Sequence, residues 1–114
     1  MTLPREGKLL RIFIGESDRH GHRPAWQAIV ELARAEGLAG ATVLRGVAGF
    51  GHSSRLHTAT ILRLSEDLPI VVEIVDTAER IDAFLPRLEP LVQGGLITLE
   101  RAEVLVYRAS EPGD

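Results

Sequence analysis

The 114-residue chain contains no cysteine, so it has neither a disulfide framework nor the thiolates of a zinc knuckle. Its first residues, MTLPREGKLL, lack the apolar stretch of a signal peptide, and no apolar run approaches the roughly 18 residues that a membrane-spanning helix needs. The net charge is −3, and arginines are interspersed among acids, so no positively charged surface for duplex nucleic acid is indicated. We therefore predict a cytoplasmic protein that neither inserts into a membrane nor binds nucleic acid.

The residues that are present describe an ordinary globular unit. Apolar residues make up 45% of the chain and charged residues 25%, which is the balance expected of a domain with one core. No internal boundary or low-complexity segment interrupts the chain. We predict a single domain over residues 1–114, with its core at about residues 7–108 and a flexible tail at residues 109–114.

Strands and helices follow one another in a simple order. Gly37 is expected to end the first helix in a left-handed conformation, and Asp76 with Glu79 resembles a capping box that starts the second. Pro86 should kink or shorten that second helix. The predicted strands are Lys8 to Glu16, Ala41 to Val47, Leu68 to Asp76 and Leu96 to Arg108, and the predicted helices begin near Pro24 and Asp76.

The order βαββαβ predicts the ferredoxin-like α+β fold, a four-stranded antiparallel sheet with two helices on one face. The open face of such a sheet is normally polar, yet the third strand is mostly apolar on both faces. Half a dozen exposed apolar side chains would each forfeit roughly 1.5 kcal/mol, together about a domain's whole stability. We therefore expect a second copy of the sheet to cover the open face. The alternative is that residues 50–68 fold back over it.

The stretch RGVAGFGHSSR, Arg45 to Arg55, opens a connection of about twenty residues between the second and third strands, which is too long for a tight hairpin. Its glycines allow positive φ or the close approach of another group. In a binding loop, Gly49 and Gly51 would expose backbone N–H groups to an anion such as phosphate. The alternative is a strand that ends in a bulge, followed by a flexible turn. Phe50 either offers an apolar surface or anchors the loop in the core.

Signatures of catalysis are missing from the chain, which has no cysteine nucleophile and no GxSxG elbow. Glu73 is the one candidate for a partly buried acid, and an ion pair with an arginine of another chain, such as Arg11, explains it equally well. We predict that the protein is not an enzyme.

A metal site is a second alternative, because imidazoles suit zinc, copper or nickel. No HExxH or similar spacing supports such a site, and histidines in loops are often ordinary surface residues. The histidines are His20, His22, His52 and His57.

The strings KLLRIFIGE, AEGLAGATV, RGVAGFG, LSEDLPIVVEIVD and GLITLERAEVL resemble a PII-like family long catalogued as a domain of unknown function, over roughly residues 7–108. That family is similar in fold to the PII signal-transduction proteins. The resemblance implies a homotrimer in which three sheets pack face to face. It also implies a ligand site in the clefts between subunits, near the base of a long loop that joins the second and third strands, where PII proteins bind adenine nucleotides.

The resemblance also assigns individual residues. Gly49, Phe50 and Gly51 match a Gly-Phe-Gly motif at the base of the PII loop, and His52 and Ser53 replace the arginine and glutamine that commonly follow it. After the second helix, PII proteins hold phosphate with a threonine, several glycines and a lysine. This chain has QGGLIT there, Gln93 to Thr98, without the lysine. Arg108 stands at about the position of basic residues that PII proteins use after the last strand.

We therefore predict a PII-like regulatory protein that binds a small anionic ligand between subunits, with an adenine nucleotide as the candidate. It would control a partner, for example a membrane transporter, through the loop at residues 50–68. The alternative function is that of a CutA-like metal-binding trimer that uses the loop histidines. The predicted ligand-binding residues are Arg45, Gly46, Gly49, Phe50, Gly51, His52, Ser53, Ser54, Arg55, Gly94, Gly95 and Arg108.

Overall fold

The computed structural model describes residues 3–51, 57–58 and 67–109, the pair 57–58 by its backbone. The main sheet is formed by β1 (Glu6–Gly15), β2 (Thr42–Arg45), β3 (Pro69–Asp76) and β4 (Leu96–Glu103). The helices are α1 (Ala25–Ala35) and α2 (Ala78–Leu88), and a 3₁₀ turn at Glu89–Leu91 follows α2. Two short antiparallel ladders pair Arg19–His20 with Arg23–Pro24, and Ala48–Gly49 with His57–Thr58.

The strand order in the main sheet is β2-β3-β1-β4, and all three pairings are antiparallel. This order confirms the predicted ferredoxin-like α+β fold. In the register of the sheet, Ile12 of β1 lies between Val72 of β3 and Ile97 of β4. Each strand therefore presents alternate residues to the helices.

The core lies between the sheet and the two helices. Its members are apolar residues with almost no solvent exposure, and Phe84 is the largest of them. Complete burial of each such side chain contributes about 1.5–3 kcal/mol. The core cluster consists of Leu10, Ile12, Ile14, Ala25, Ile29, Ala33, Ile70, Val72, Ile74, Ile81, Phe84 and Leu88.

Both helices have identifiable ends. Gly37 follows α1 with φ of 78°, as expected for a left-handed cap. The predicted capping box at the start of α2 is wrong, because the cap is Thr77, whose side chain accepts the Arg80 N–H at 3.2 Å. The helix then continues past Pro86 to Leu88.

Two strands are shorter than predicted. The second ends at Arg45 rather than Val47, because its neighbour β3 begins at Pro69, which has no N–H to continue the ladder. The last strand ends at Glu103 rather than Arg108. Its neighbour β1 begins at Glu6, opposite Glu103, so the residues that follow have no strand beside them.

The open face of the sheet combines apolar residues with one row of charges. Leu9, Phe13 and Val71 are half-buried on this face, as the two-sided apolar pattern predicted. Across the middle, Arg11 donates to Glu73 at 2.9 Å and to Glu100 at 2.8 Å. The hydrogen bond to the Glu73 carboxylate, followed by the pairing with Glu100, raises the pKa of Arg11 against the opposing effect of desolvation.

The Arg11–Glu73 pair therefore forms within one chain, whereas the sequence interpretation placed it between chains. The two residues are direct neighbours in the β1–β3 register, so no second copy is needed to bring them together.

Candidate ligand site at the base of the long connection

One end of the sheet collects most of the predicted ligand-binding residues. Because the strands are antiparallel, β1 and β2 end where β3 and β4 begin. Arg45, the last residue of β2, and Gly46 lie at this end, and Gly94 and Gly95 lie there before β4. They occupy opposite edges of the sheet, since β3 and β1 lie between them, which separates them by about 14 Å at the usual strand spacing.

Gly46 and Gly49 both lie against the ring of Pro69. A Cβ on Gly46 would be 2.8 Å from Cγ of Pro69, and a Cβ on Gly49 would be 3.1 Å from the same atom. The Gly46 N–H also donates to the Pro69 carbonyl at 2.7 Å. Neither glycine has positive φ. Their role in the described structure is therefore close packing of the connection onto the first residue of β3.

The connection leaves the sheet as a small hairpin. Ala48 and Gly49 pair with Thr58 and His57, so the residues that match the Gly-Phe-Gly motif begin on its first arm. The sequence left open whether Phe50 anchors the loop in the core or lies on the surface. The side chain is 76% exposed, so it lies on the surface. Gly51 is exposed as well.

The remaining predicted residues of this stretch, His52, Ser53, Ser54 and Arg55, lie outside the described part of the chain. Their assignment to the site stays a prediction.

Arg45 forms an ion pair with Glu16, the first residue after β1. The turn that carries Glu16 also holds the far end of the connection, since Glu16 N donates to the Leu68 carbonyl at 2.8 Å and Ser17 N to the Asp67 carboxylate at 2.7 Å. The β1–α1 turn thus contacts both ends of the 46–68 connection. Glu16 could not be predicted as a site residue from the sequence, because nothing in its local pattern indicates a partner 29 positions away.

The two glycines before β4, Gly94 and Gly95, differ in the space available for a side chain. Gly95 has φ of 150°, and a Cβ there would be 2.4 Å from the Phe13 carbonyl oxygen. A Cβ on Gly94 would meet nothing within 4 Å. Gly95 is therefore required by the turn into β4, whereas Gly94 leaves its backbone accessible to another molecule.

Arg108 lies at the other end of the molecule. The eight residues of β4 run away from Gly95, over about 24 Å, and Arg108 follows that strand. Its neighbour Tyr107 donates its hydroxyl proton to the Ala39 carbonyl at 2.8 Å. A single chain therefore does not bring Arg108 together with Arg45 and the glycine residues.

A buried carboxylate organises this second end. Asp76 is 1% exposed and accepts the backbone N–H of Ala39 at 2.8 Å and that of Thr77 at 2.7 Å. Arg80 lies 3.6 Å away, one helical turn further along. The peptides of Ala39 thus link Asp76 on one side to Tyr107 on the other, which fixes the segment after β4 relative to the loop before β2.

The segment after β4 crosses the open face of the sheet. Val104 donates its N–H to the Arg5 carbonyl at 2.7 Å, and Val104 to Tyr107 line a groove of about 720 Å³ with Leu9 and Val75. Leu105 and Val106 are exposed apolar side chains. Part of the open face is therefore covered from within the chain, by a segment that the sequence assigned to the last strand.

The structure gives no support to a metal site among the residues that it describes. His20 and His22 lie in the exposed turn before α1, and within the described ranges no group of three or more histidine, aspartate or glutamate residues could hold an ion. His52 and the side chain of His57 fall outside those ranges. In the part of the chain that the structure describes, no helix has the length and apolar character to cross a membrane.

The α+β fold, with its four-stranded sheet and two helices, is similar to that of solved PII-like proteins. One similar solved structure is that of CPII, a nitrogen regulatory PII-like protein from Thiomonas intermedia K12, bound to ADP, AMP and bicarbonate. It matches this fold with a TM-score of 0.66 at 17% identity, over 87% of this chain and 88% of that one. CutA from Synechococcus elongatus is similar with a TM-score of 0.56 at 11% identity, over 90% of this chain and 80% of that one. At these identities the likeness shows the fold.

The sequence comparison is more specific. The model of the DUF190 family, described as Uncharacterized ACR, matches residues 7–104, and a UPF0166 protein of Aquifex aeolicus is 41% identical over 98 residues, covering 86% of this chain and 92% of that protein. This chain belongs to the DUF190 family. The resemblance to a PII-like family of unknown function is thereby confirmed.

Proposed function

We propose that the protein is a regulatory trimer that binds a small anionic ligand, an adenine nucleotide, in clefts between its subunits. The observation that carries this proposal is the distribution of the cationic residues. Arg45 and Arg108 lie at opposite ends of the sheet in one chain, so a site that uses both must take them from two copies. The similarity to CPII, which was solved with ADP, AMP and bicarbonate, supports a nucleotide as the ligand.

The open face of the sheet supports assembly. Leu44 and Leu96 are about half exposed on this face, and Phe13 and Val71 lie half-buried between them. A second copy that covers these side chains removes their apolar area from water, and each Å² removed stabilises the assembly by about 25 cal/mol. The number of copies, three, rests on the resemblance to PII proteins, and closed symmetric assemblies are the usual form of soluble homo-oligomers.

The proposed ligand contacts follow from the accessible groups. Arg45 supplies a guanidinium that suits phosphate, and Phe50 offers an exposed ring on the hairpin that follows β2. Gly94 leaves space for close approach to the backbone at the opposite edge of the sheet, so a ligand that contacts both Arg45 and Gly94 must span about 14 Å. Arg108 of a neighbouring copy would complete the cleft. Binding, rather than turnover, is the activity that we propose.

The connection after Gly49 is the proposed contact for a regulated partner, for which a membrane transporter is the candidate. Val47 and Phe50 are 79% and 76% exposed at its base. Aromatic side chains such as that of Phe50 are enriched in protein interfaces. A ligand that contacts the same hairpin changes the partner's affinity only if it binds the two states of the hairpin unequally.

Mixing two defective variants tests the shared site. Arg45→Ala and Arg108→Ala should each lose ADP binding in isothermal titration calorimetry. After equal amounts of the two proteins are unfolded together and refolded, each mixed trimer should have one cleft that combines an intact Arg45 with an intact Arg108, which is about a quarter of all clefts in the preparation, so ADP binding should return in part. Light scattering measures whether the refolded protein is a trimer. A different tag on each variant shows whether one trimer contains both variants.

Two results would contradict the proposal. One is a wild-type protein that binds none of ATP, ADP, AMP and cyclic AMP. The other is a mixed preparation, shown to contain both tagged variants in one trimer, that fails to regain ADP binding.

A further inference from the structure

The ion pair between Arg45 and Glu16 places a carboxylate on the guanidinium that the proposed site offers to its ligand. Arg45 is 61% exposed in its side chain, and Glu16 is 29% exposed. Arg45 is therefore accessible to a ligand from one side while Glu16 occupies the other. The strand order explains the contact, because Glu16 follows β1 at the end of the sheet where β2 also ends.

Glu16 is held in place independently of Arg45. Its own N–H donates to the Leu68 carbonyl at 2.8 Å, and the next residue, Ser17, donates to the Asp67 carboxylate at 2.7 Å. Two further hydrogen bonds close the same turn, since the Gly15 N–H donates to the Asp18 carboxylate at 3.0 Å and the Asp18 N–H to the Gly15 carbonyl at 3.2 Å. A ligand that takes Arg45 therefore does not free Glu16 to move far away.

A phosphate at Arg45 would meet two costs. First, the phosphate must displace the Glu16 carboxylate from at least part of the Arg45 guanidinium. Second, the phosphate then lies next to that carboxylate, and the two negative charges repel each other. Both costs grow with the charge of the ligand and are absent for an uncharged one. Glu16 is thus an internal competitor for the anion.

We propose that Glu16 sets the affinity and the charge preference of the site by competing with the ligand for Arg45. This inference rests on the proposed function and adds to it a residue that determines specificity. Removing the carboxylate while keeping the shape of the side chain should strengthen the binding of phosphorylated ligands.

Titration calorimetry of Glu16→Gln tests the inference. We expect the dissociation constant for ADP to fall about fivefold, which corresponds to the upper end of the range measured for exposed ion pairs. The gain should be smaller for AMP and absent for adenosine, which carries no phosphate. Glu16→Asp keeps the charge on a shorter side chain, and it should give a smaller gain than Glu16→Gln.

The chain contains a matched control. Arg87 pairs with Glu36 at 2.8 Å, and their exposed fractions of 59% and 26% are close to those of Arg45 and Glu16. This second pair joins the two helices on the other side of the sheet. Glu36→Gln removes the same charge from the protein, so it should leave the ADP affinity unchanged if the effect at Glu16 is local.

The outcomes separate the two proposals. Equal ADP binding by wild type and by a folded Glu16→Gln protein, or an equal gain for adenosine, would overturn the role of Glu16 and leave the nucleotide site standing. An equal gain in Glu36→Gln would overturn it as well. Absence of ADP binding by both wild type and Glu16→Gln would overturn both proposals.

Discussion

Replacing Asp76 with alanine should cost more stability than any other change to a charged residue that the structure describes. Asp76 is 1% exposed, and its carboxylate accepts the N–H groups of Ala39 and Thr77. Hydrogen bonds to charged acceptors contribute about 1.5–3 kcal/mol each. Both donors are only partly buried, so water will replace some of this loss. We therefore expect the free energy of unfolding to fall by about 3 kcal/mol.

Urea unfolding followed by circular dichroism measures this change, at one fixed protein concentration because assembly contributes to apparent stability. For a chain of this length, about 3 kcal/mol corresponds to a decrease in Tm of about 12 °C. Asp76→Asn keeps one acceptor oxygen and should lose about half as much. A folded Asp76→Ala protein within about 0.5 kcal/mol of wild type would refute the reasoning.

Glu79→Ala is the informative control for Asp76, because the two residues formed the capping box expected from the sequence. The structure gives the cap to Thr77, and Glu79 is an exposed residue of the first turn. Its removal should cost about 0.5 kcal/mol or less, chiefly through the helix dipole. An effect of Glu79→Ala as large as that of Asp76→Ala would favour the capping box instead.

The glycines at the proposed site give two further predictions. Gly95→Ala should destabilise the protein by more than about 2 kcal/mol in urea unfolding, because its Cβ would lie 2.4 Å from the Phe13 carbonyl oxygen, whereas Gly94→Ala has open space and should be nearly neutral. Gly46→Ala should cost about 1–2 kcal/mol through its 2.8 Å approach to Pro69 Cγ, and a smaller cost in a Pro69→Ala background would identify the ring as the cause. These explanations would be contradicted if Gly94→Ala destabilised the protein as much as Gly95→Ala. They would also be contradicted if Gly46→Ala cost as much stability in the Pro69→Ala background as in wild type.

The fold was predictable because its signals are local. Runs rich in apolar and β-branched residues mark β1 and β3, and helical spacing marks Ile81, Phe84 and Leu88 in α2. These patterns determine the order of elements, and the order leaves few topologies for one sheet. The ends of the strands were less predictable, because Pro69 and the start of β1 limit the neighbouring strands from across the sheet.

The polar contacts were not predictable for the same reason. The sequence suggested that Arg11 and Glu73 pair, but only the register of β1 against β3 shows that they do so within one chain. Arg45 and Glu16 meet because β1 and β2 end at the same side of the sheet. Sequence patterns report the face on which a residue lies, whereas these contacts depend on which strand end lies next to which.

The separation of Arg45 from Arg108 also links ligand binding to assembly. If one cleft takes a group from each of two copies, a separated copy holds only part of the site, and the ligand binds the assembled form preferentially. Linkage then requires the ligand to stabilise the trimer, by about 2.7 kcal/mol per site at a concentration of a hundred times its dissociation constant. In the proposed site, the Arg45–Glu16 pair would act against this gain, because the Glu16 carboxylate must be displaced first. Ligand affinity would then be a balance between a contact made within one chain and a contact completed by its neighbour.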